Sequence, residues 1–374
     1  MPGPRPWLQF AFVTVDVAIA RRLAERTLAL VDIPSVSRSE ARIAQEVASA
    51  IPRSSFREHV ADGEGFYYAT DRAAGRPFVL LAGHLDTIPV QENLPGRIEG
   101  GWVVGLGATD MKGGLAVMLE LASWIDEARP ERELDLGLLF FTREELPLDE
   151  SPLPGVFDAC PELREAGLAI VLEPTDNTIQ AGCLGNLNAT LTFRGESAHS
   201  ARPWLGVNAI AAAVEGLLPL TQLPPQPVEI DGLVFVEVLS VTGIEGGVAD
   251  NVIPDRVSCR LNYRFAPNRT LADAEARLAE LVGGAGELEI TSGSSAGRVA
   301  ARSPLVERLR RVGGFDVEPK QAWTPVAQFT EEGLDAVNLG PGATHYAHKR
   351  DERVAIGELV RTFDALRRFV VGGS

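Results

Sequence analysis

Apolar runs of strand length recur along this chain, and most of them are followed by a histidine or a carboxylate. These runs are FVLLAG (78–83) before His84, LGLLFFT (136–142) before Glu144 and Glu145, LAIVL (168–172) before Glu173, and AVNLG (336–340) before the loop of His348. Continuous apolar runs are typical of strands buried on both faces of a parallel sheet. Helical patterns at 19–33 and 39–51 precede these runs, and a further helical pattern that begins at Asp110 lies between the first two. We therefore predict an α/β fold with a mostly parallel sheet covered by helices.

The carboxyl ends of parallel strands lie at one edge of a sheet, where ligands bind in a crevice. We therefore expect His84, Glu145, Glu173 and His348 to lie close together. Asp110 differs because it is expected to open a glycine-containing helix, DMKGGLAVMLELASWI, rather than to follow a long strand. Two imidazoles and three carboxylates are ligands that a pair of zinc ions can use.

A second pattern occupies residues 179–293, where the predicted order is β-α-β-β-α-β, the ferredoxin-like arrangement. The predicted elements are strands at 186–194, 233–243, 256–265 and 287–291 and helices at 207–218 and 270–282. We expect the first helix to end before Pro219, and Thr270 to cap the second. The chain thus divides into a large domain of residues 1–178 and 294–374 and a small domain inserted at 179–293.

Length and composition indicate the number of domains, the cellular compartment and the classes of partner that are excluded. The 374 residues exceed the usual size of one hydrophobic core, and the net charge of −16 argues against nucleic acid and anionic membranes as partners. No apolar run reaches the length of a membrane span, and we read WLQFAFVTV (7–15) as an extension or first strand rather than a signal peptide. Three cysteines without CxxC spacing indicate a reducing cytoplasm.

Seven motifs occur in order: GHLDTIP (83–89), ATDMKGG (108–114), REE (143–145), LEPT (172–175), GESAHS (195–200), NVIP (251–254) and GPGATHYAHKRDE (340–352). Together they resemble the di-zinc amidohydrolase and peptidase family that includes aminoacylases, acetylornithine deacetylase and glutamate carboxypeptidase. The resemblance covers nearly the whole chain. Within the family, AGCLGNL (181–187), AHSARPWLGVNAI (198–210) and GGVADNVIPD (246–255) are similar to members that remove succinate from N-succinyl-L,L-diaminopimelate.

The resemblance implies a role for each candidate ligand. Asp110 would bridge two zinc ions, for which cobalt can substitute. His84 and Glu173 would complete the ligands of one ion, and Glu145 and His348 those of the other. Two metals bridged by a carboxylate polarise an amide carbonyl and supply a nucleophilic water at neutral pH.

Other residues acquire roles from the same resemblance. Asp86 would fix the tautomer of the His84 imidazole, and Glu144 would be the general base that moves a proton from water to the leaving amine. His199 would reach the site of a partner subunit and stabilise the oxyanion, with Asn251 beside it. The inserted domain is therefore expected to be a lid and dimerisation domain, and the protein a homodimer.

Substrate recognition is where this chain departs from the family pattern. Arg264, on the polar side of its strand, and Arg202 are expected to bind substrate carboxylates. Family members that remove succinate from N-succinyl-L,L-diaminopimelate carry an acid and an arginine in the segment that matches WTPVAQF (323–329). This chain has Pro325 and Gln328 at those two positions. We expect Gln328 to line the pocket, although it cannot supply the charge of an arginine. The segment LPLDESPLPG (146–155) also differs from the pattern.

Each candidate also has a simpler interpretation from the residues alone. His84 and His199 are ordinary loop histidines in that view, Asp110 is a helix cap, and the charges of Glu144, Glu145 and Arg264 are solvated. Glu173 follows a buried strand, where an unpaired charge is costly, so coordination is favoured. His345 competes with His348 for one ligand position, and we expect it on the substrate side or the surface.

The expected function is hydrolysis of the amide bond of a small N-acyl amino acid. N-succinyl-L,L-diaminopimelate is the expected substrate, giving succinate and L,L-diaminopimelate for lysine and cell-wall synthesis. The alternatives in the family are an N-acetylornithine or N-acyl-lysine deacylase and a carboxypeptidase or dipeptidase. A noncatalytic metal-dependent binding protein is a further alternative, but it predicts the loss of Glu144 or of a ligand, and all are present.

Overall fold

The computed structural model describes residues 17–373, so the predicted extension at 7–15 lies outside the described residues. The helices in this range are α1 (Val17–Val31), α2 (Ala41–Ala50), α3 (Gly113–Ala128), α4 (Leu153–Ala159), α5 (Ala209–Thr221), α6 (Leu271–Val282), α7 (Pro304–Gly313), α8 (Val326–Glu331) and α9 (Ile356–Val371). None of these helices is both long and apolar enough to cross a membrane.

Four sheets are formed by the strands of the described range. The strands are β1 (Arg57–Ala61), β2 (Gly65–Ala69), β3 (Phe78–His84), β4 (Arg97–Glu99), β5 (Trp102–Val104), β6 (Asp135–Phe141), β7 (Leu168–Val171), β8 (Ile179–Cys183), β9 (Gly185–Arg194), β10 (Ala198–His199), β11 (Gln226–Ile230), β12 (Leu233–Gly246), β13 (Val252–Ile253), β14 (Arg256–Phe265), β15 (Glu287–Ser294), β16 (Val317–Lys320), β17 (Ala336–Asn338) and β18 (Arg353–Ala355).

The largest sheet has the order β1-β2-β6-β3-β7-β17-β8-β16. Its centre is parallel, because β3 pairs in parallel with β6 and β7, and β7 with β17. Strands β3, β6 and β7 are buried along their whole length, as their continuous apolar runs predict. Helices α1, α3 and α9 pack on one face, and α4 and α8 on the other. The predicted fold class, a mostly parallel sheet covered by helices, is confirmed.

The second large sheet is antiparallel, with the order β11-β12-β14-β9-β15. Its strands β9, β12, β14 and β15 and helices α5 and α6 follow the predicted ferredoxin-like connectivity. Both helices cover one apolar face of the sheet. Strand β11 was not predicted. It forms a hairpin with β12 through Asp231 and Gly232, whose positive φ angles suit a two-residue turn, so the Asp-Gly pair was the available signal.

Two sequence expectations about element boundaries were wrong. Residues Ile179–Cys183 were assigned to the inserted domain, but this strand pairs with β16 and β17 and so extends the large sheet. Helix α5 was expected to end before Pro219, yet it continues to Thr221. Leu220, beyond the proline, is buried against the same core as the rest of the helix, and this packing keeps the last turn in place.

The N-terminus of α6 is capped by two reciprocal hydrogen bonds between Thr270 and Asp273, as the sequence predicts. Thr270 Oγ1 accepts from the Asp273 amide at 3.1 Å, and an Asp273 carboxylate oxygen accepts from the Thr270 amide at 3.0 Å. Loss of such a cap typically costs about 1 kcal/mol. Thr270→Ala should therefore raise hydrogen exchange in the first turn of α6 about fivefold, measured by mass spectrometry. Thr270→Ser keeps the acceptor and should exchange like the wild type; equal exchange in both variants would contradict the capping role.

Candidate metal centre

Two groups of possible metal ligands share the carboxylate of Asp110. The first consists of His84, Asp110 and Glu173, and the second of Asp110, Glu145 and His348; within each group the ligand atoms lie within 4.8 Å of one another. One Asp110 oxygen, Oδ1, is 3.1 Å from His84 Nε2, while Oδ2 is 3.4 Å from His348 Nε2. The two oxygens therefore face two different imidazoles, which is the arrangement of a bridging carboxylate.

The outer ligands complete each group. Glu173 Oε1 is 3.7 Å from His84 Nε2, and Glu145 Oε1 is 3.0 Å from His348 Nε2. His84 is the last residue of β3, and Glu145 and Glu173 follow β6 and β7 within a few residues. The parallel strands thus bring these three side chains to one edge of the sheet, as expected from the sequence. His348 comes from the loop after β17, where its φ of 61° is left-handed.

Asp110 does not open a helix, contrary to the sequence expectation. Its backbone is extended (φ −122°, ψ 93°) within an irregular turn, and α3 begins only at Gly113. The buried carboxylate of Glu352 explains this conformation, because it accepts the amides of Gly107 and Asp110 at 3.0 Å and of Thr109 at 3.1 Å. These amides are satisfied by a side chain from far along the chain, so the helix need not start earlier.

Glu352 is a positioning residue that the sequence analysis missed. It lies 242 residues beyond Asp110, and burial raises the pKa of its carboxyl to about 7, against the opposing effect of the bound amides. The available signal was the acidic pair Asp351 and Glu352 at the end of the motif at 340–352.

Asp86 lies behind His84, as the resemblance implied. Its carboxylate accepts hydrogen bonds from Ser37 Oγ at 2.7 Å and from the amides of Glu144 at 3.0 Å and Glu145 at 3.1 Å. The Nδ1 atom of His84 lies 3.1 Å from the Asp86 backbone oxygen and 3.5 Å from Oδ1. A proton on Nδ1 therefore has acceptors behind the ring, which leaves Nε2 free to act as the ligand atom toward Asp110.

The electrostatics of the cluster favour bound cations. Burial raises the pKa of Glu173 to about 7, and burial also raises that of Glu144 well above its usual value, with the neighbouring carboxylates adding to both. Burial disfavours the His84 cation, but the carboxylates of Asp110 and Asp86 raise its pKa well above 6.5. Hydrogen bonds to Asp110 and Glu145 raise the pKa of His348 to about 10.

One buried carboxylate oxygen of the cluster, Oε1 of Glu173, accepts no hydrogen bond from the described residues. Leaving a buried carboxylate oxygen without a partner is costly, and a divalent cation placed between it and His84 Nε2 would remove that cost. With Asp110 shared between two groups of nitrogen and oxygen ligands, the residues present fit a pair of divalent metal ions.

Glu144 lies beside this cluster rather than in either Asp110-centred group. Its carboxylate, His84 and Glu145 have ligand atoms within 4.8 Å of one another. Because Asp86 holds the amides of both Glu144 and Glu145, the two adjacent acids are fixed together at the end of β6. The geometry leaves Glu144 available for proton transfer next to the cluster.

The structure does not bring the expected residues of the inserted domain to the cluster. His199 belongs to the short strand β10, and its Nδ1 accepts a hydrogen bond from the Ala201 amide at 3.1 Å. The Arg202 amide donates to the His199 carbonyl at 2.7 Å, and the Asn251 carbonyl accepts from the Ser200 amide at 2.9 Å. All of these residues lie in one exposed region, and none of their contacts within residues 17–373 reaches the metal ligands.

Arg264 and Gln328 also have partners outside the cluster. Arg264 lies on the polar face of the five-stranded sheet and donates from Nε to Asn262 Oδ1 at 3.0 Å. Gln328 is buried in α8, where its Nε2 donates to Ser151 Oγ at 2.9 Å. Ser151 belongs to the unusual segment 146–155, so the two sequence departures contact each other. His345 is exposed and packs its ring on that of Tyr346, at 3.9 Å between centroids.

A cleft of about 830 Å³ is lined in part by residues that begin two positions after Glu145 in the sequence. On the side of the large sheet it is lined by residues Pro147, Leu148 and Asp149, the start of the unusual segment. Opposite lie polar side chains of β9 and β15, among them Asn186 and Asn188. The cleft therefore lies between the segment that follows Glu145 in the sequence and the polar face of the second sheet.

Comparison with known proteins places these features in context. The family model described as "Peptidase family M20/M25/M40" matches residues 80–371. A Mycobacterium tuberculosis protein described as "putative succinyl-diaminopimelate desuccinylase DapE" is 41% identical over 349 residues, covering 93% of this chain and 98% of that protein. A Corynebacterium glutamicum protein described as "succinyl-diaminopimelate desuccinylase" is 36% identical over 351 residues, covering 92% of this chain and 95% of its own length.

The fold is also found among solved structures. The crystal structure of the aminopeptidase PepT from Bacillus cereus superimposes with a TM-score of 0.77 at 20% sequence identity, covering 94% of this chain and 98% of PepT. At this identity the likeness establishes a shared fold. It covers both the large sheet and the inserted sheet, because so little of either chain is left out.

The arrangement around Asp110 predicts how metal content responds to single substitutions. Glu145→Gln and Glu173→Gln should each lose about one divalent ion per chain relative to the wild type, because each removes a ligand of one metal only. Glu144→Gln should retain the wild-type content. Metal analysis of zinc-loaded, gel-filtered protein measures this. Anomalous scattering should show two ions roughly 3.5–4 Å apart at Asp110; a single ion there, or metal loss in Glu144→Gln, would contradict the assignment.

Proposed function

This chain belongs to peptidase family M20/M25/M40, and on that basis we propose that it hydrolyses N-succinyl-L,L-diaminopimelate to succinate and L,L-diaminopimelate. The observation that carries the proposal is the identity of 41% and 36% with two succinyl-diaminopimelate desuccinylases over almost their entire length. All five candidate ligands and Glu144 are present in this chain and lie together. This complete set supports catalysis rather than a noncatalytic binding role.

We propose zinc as the metal of the centre. Two bound ions would polarise the amide carbonyl and lower the pKa of the attacking water. His84 and Glu173 would hold one ion and Glu145 and His348 the other, with Asp110 between them. Asp86 keeps the Nδ1 side of His84 engaged, so that Nε2 presents its lone pair.

Glu144 is the proposed general base. It would accept the proton that the attacking water loses and deliver it to the amide nitrogen as the carbon–nitrogen bond breaks, so that diaminopimelate leaves as a neutral amine rather than as an amide anion. Its position beside both His84 and Glu145 places a free carboxylate next to the ligands. A positioned general base of this kind typically contributes about 10²–10⁴-fold to the rate.

The cleft beyond Glu145 is the proposed binding region for the rest of the substrate. The substrate carries three carboxylates, and Arg264 on the polar face of the second sheet is one cation that can pair with them. We assign further carboxylate contacts to Arg202 and Asn251 in the exposed loops. Gln328 contributes through Ser151, because its buried amide holds the segment that lines the cleft.

A substrate panel tests the proposed function. With zinc-loaded protein, kcat/KM for N-succinyl-L,L-diaminopimelate should exceed that for N-acetylornithine, N-acyl-lysine and dipeptides by roughly 10²-fold or more, because a site built for charged groups rejects analogues that lack them. Glu144→Gln protein, prepared identically, is the control for contaminating hydrolases. A preference for an acetylated or dipeptide substrate would replace the substrate assignment, while leaving the metal-dependent hydrolase in place.

We also propose that the protein is a homodimer through the inserted sheet. Helix α5 and the loop before it expose a run of apolar side chains at helical spacing, namely Val207 (55%), Ile210 (44%), Val214 (60%) and Leu218 (55%). Beyond the hairpin with β11, one edge of β12 has no strand partner among the described residues. An exposed apolar helix beside an open strand edge fits a two-fold contact with a second copy.

In such a dimer, His199 would serve the active site of the partner subunit. Among the described residues, His199 contacts Ala201, Arg202 and the short strand β13, and none of these is a metal ligand. The proposed role is stabilisation of the oxyanion that develops on the amide carbonyl.

Subunit mixing tests this arrangement. His199→Ala and Glu144→Gln proteins should each be nearly inactive alone. After subunit exchange, half of the dimers are hybrids with one intact site, so activity should recover to about a quarter of the wild-type value. As a control, His199→Ala protein mixed with a variant that carries both His199→Ala and Glu144→Gln should recover no activity. Absence of recovery despite verified exchange would show that His199 does not act across the interface.

We propose the cytoplasm as the location. The three cysteines of the sequence, Cys160, Cys183 and Cys259, are all free and buried, although an oxidising compartment favours disulfides.

A further inference from the structure

A third group of possible metal ligands lies at the edge of the large sheet, apart from the Asp110 cluster. His59 is on the edge strand β1, Cys160 follows α4, and Glu162 lies in the turn after it. Glu162 Oε1 is 3.2 Å from His59 Nδ1 and 2.9 Å from Cys160 Sγ. All three ligand atoms lie within 4.8 Å of one another. The group combines an imidazole nitrogen, a thiol sulfur and a carboxylate oxygen.

Zinc binds this mixture of ligands, typically in tetrahedral geometry. Bond lengths of that geometry place a thiolate sulfur and a carboxylate oxygen about 3.5 Å apart when they share an ion. The observed sulfur–oxygen separation of 2.9 Å is that of a thiol donating to a carboxylate. Replacing the thiol proton by a metal therefore requires these atoms to separate by only about half an ångström.

The fold holds two of the three ligands independently of their contacts with Glu162. The His59 ring packs against the buried Tyr67 ring, with 4.9 Å between centroids. The Cys160 amide donates to the Val156 carbonyl at 2.9 Å, which fixes the thiol at the end of α4. Two separate elements thus hold His59 and Cys160 in position before an ion binds, and this lowers the entropic cost of binding.

Exposure at this group is one-sided. Cys160 is only 2% exposed and forms the floor, while the side chains of His59 and Glu162 are 34% and 39% exposed. An ion can therefore enter from solvent and keep a water molecule as its fourth ligand. The buried thiol would be shielded from bulk solvent beneath it.

We propose that His59, Cys160 and Glu162 form a zinc site that is separate from the paired-metal centre. On binding, the Cys160 thiol proton is released to solvent and the sulfur becomes a zinc thiolate, with no change of oxidation state. The ion joins β1, the edge strand of the large sheet, to the segment between α4 and β7. Its role is to clamp this edge, because metal bound to the folded state alone stabilises it by mass action.

Cobalt distinguishes this site from the paired-metal centre in the full-length protein. The paired centre offers only nitrogen and oxygen ligands, so thiolate-to-cobalt charge-transfer absorption in the near ultraviolet can arise only where a cysteine binds. Titration of metal-free protein with Co²⁺ should give this absorption. It should vanish in Cys160→Ser and remain in Cys259→Ser, the matched control at another buried cysteine.

A ligand variant that leaves the thiol in place provides the second measurement. His59→Gln should weaken cobalt binding at the thiolate band by at least the roughly 10- to 100-fold that outer-shell changes cause at metal sites, while hydrolysis at the paired centre stays unchanged. Absence of the band when cobalt has filled the paired centre would overturn the proposal. A band that survives Cys160→Ser would do the same, and the group would then be a hydrogen-bonded thiol only.

Discussion

The carboxylate of Asp110, held between two imidazoles, is the interaction on which the rest of the site depends. Its oxygens lie 3.1 Å and 3.4 Å from the Nε2 atoms of His84 and His348. These histidines come from opposite ends of the chain, so the carboxylate can face both only if the central strand β3 and the last loop meet at one edge of the sheet. The parallel order of β6, β3, β7 and β17 provides that meeting point. Concentrating so many acids there is unfavourable without cations, which is why the site is best understood as a metal centre.

Two buried carboxylates, those of Glu352 and Asp86, fix the backbone of the residues that form the candidate metal centre. Glu352 accepts three backbone amides of the turn that carries Asp110, and Asp86 accepts the amides of Glu144 and Glu145 together with the Ser37 hydroxyl. Removing either acid would leave several buried donors without partners, at about 1–3 kcal/mol for each such group. The same interactions thus satisfy the backbone and orient the ligands. This explains why the Asp110 turn is irregular where its sequence favours a helix.

The candidate metal centre and the polar face of the inserted sheet belong to different parts of the fold. Every ligand of the Asp110 cluster, and Glu144, lies outside the inserted sheet, whereas Arg264 and the amides of Asn186 and Asn188 come from its polar face. The cleft between them begins at the residues just after Glu145. In this chain the segment that lines the cleft is supported by the Ser151–Gln328 pair.

The sequence by itself determined the fold class, the ferredoxin-like order of the inserted sheet, the cap at Thr270 and the meeting of His84, Glu145, Glu173 and His348 at the candidate centre. These follow from periodicity, turn chemistry and the ends of apolar runs, which are local properties. The tertiary structure decided the start of α3 after Asp110, the continuation of α5 through Pro219 and the pairing of Ile179–Cys183 with the large sheet. It also decided the partners of Glu352 and Gln328 and the meeting of His59 with Cys160. Each of these depends on a contact between residues far apart in the chain, and the energy of such a contact overrides the local preference of either segment.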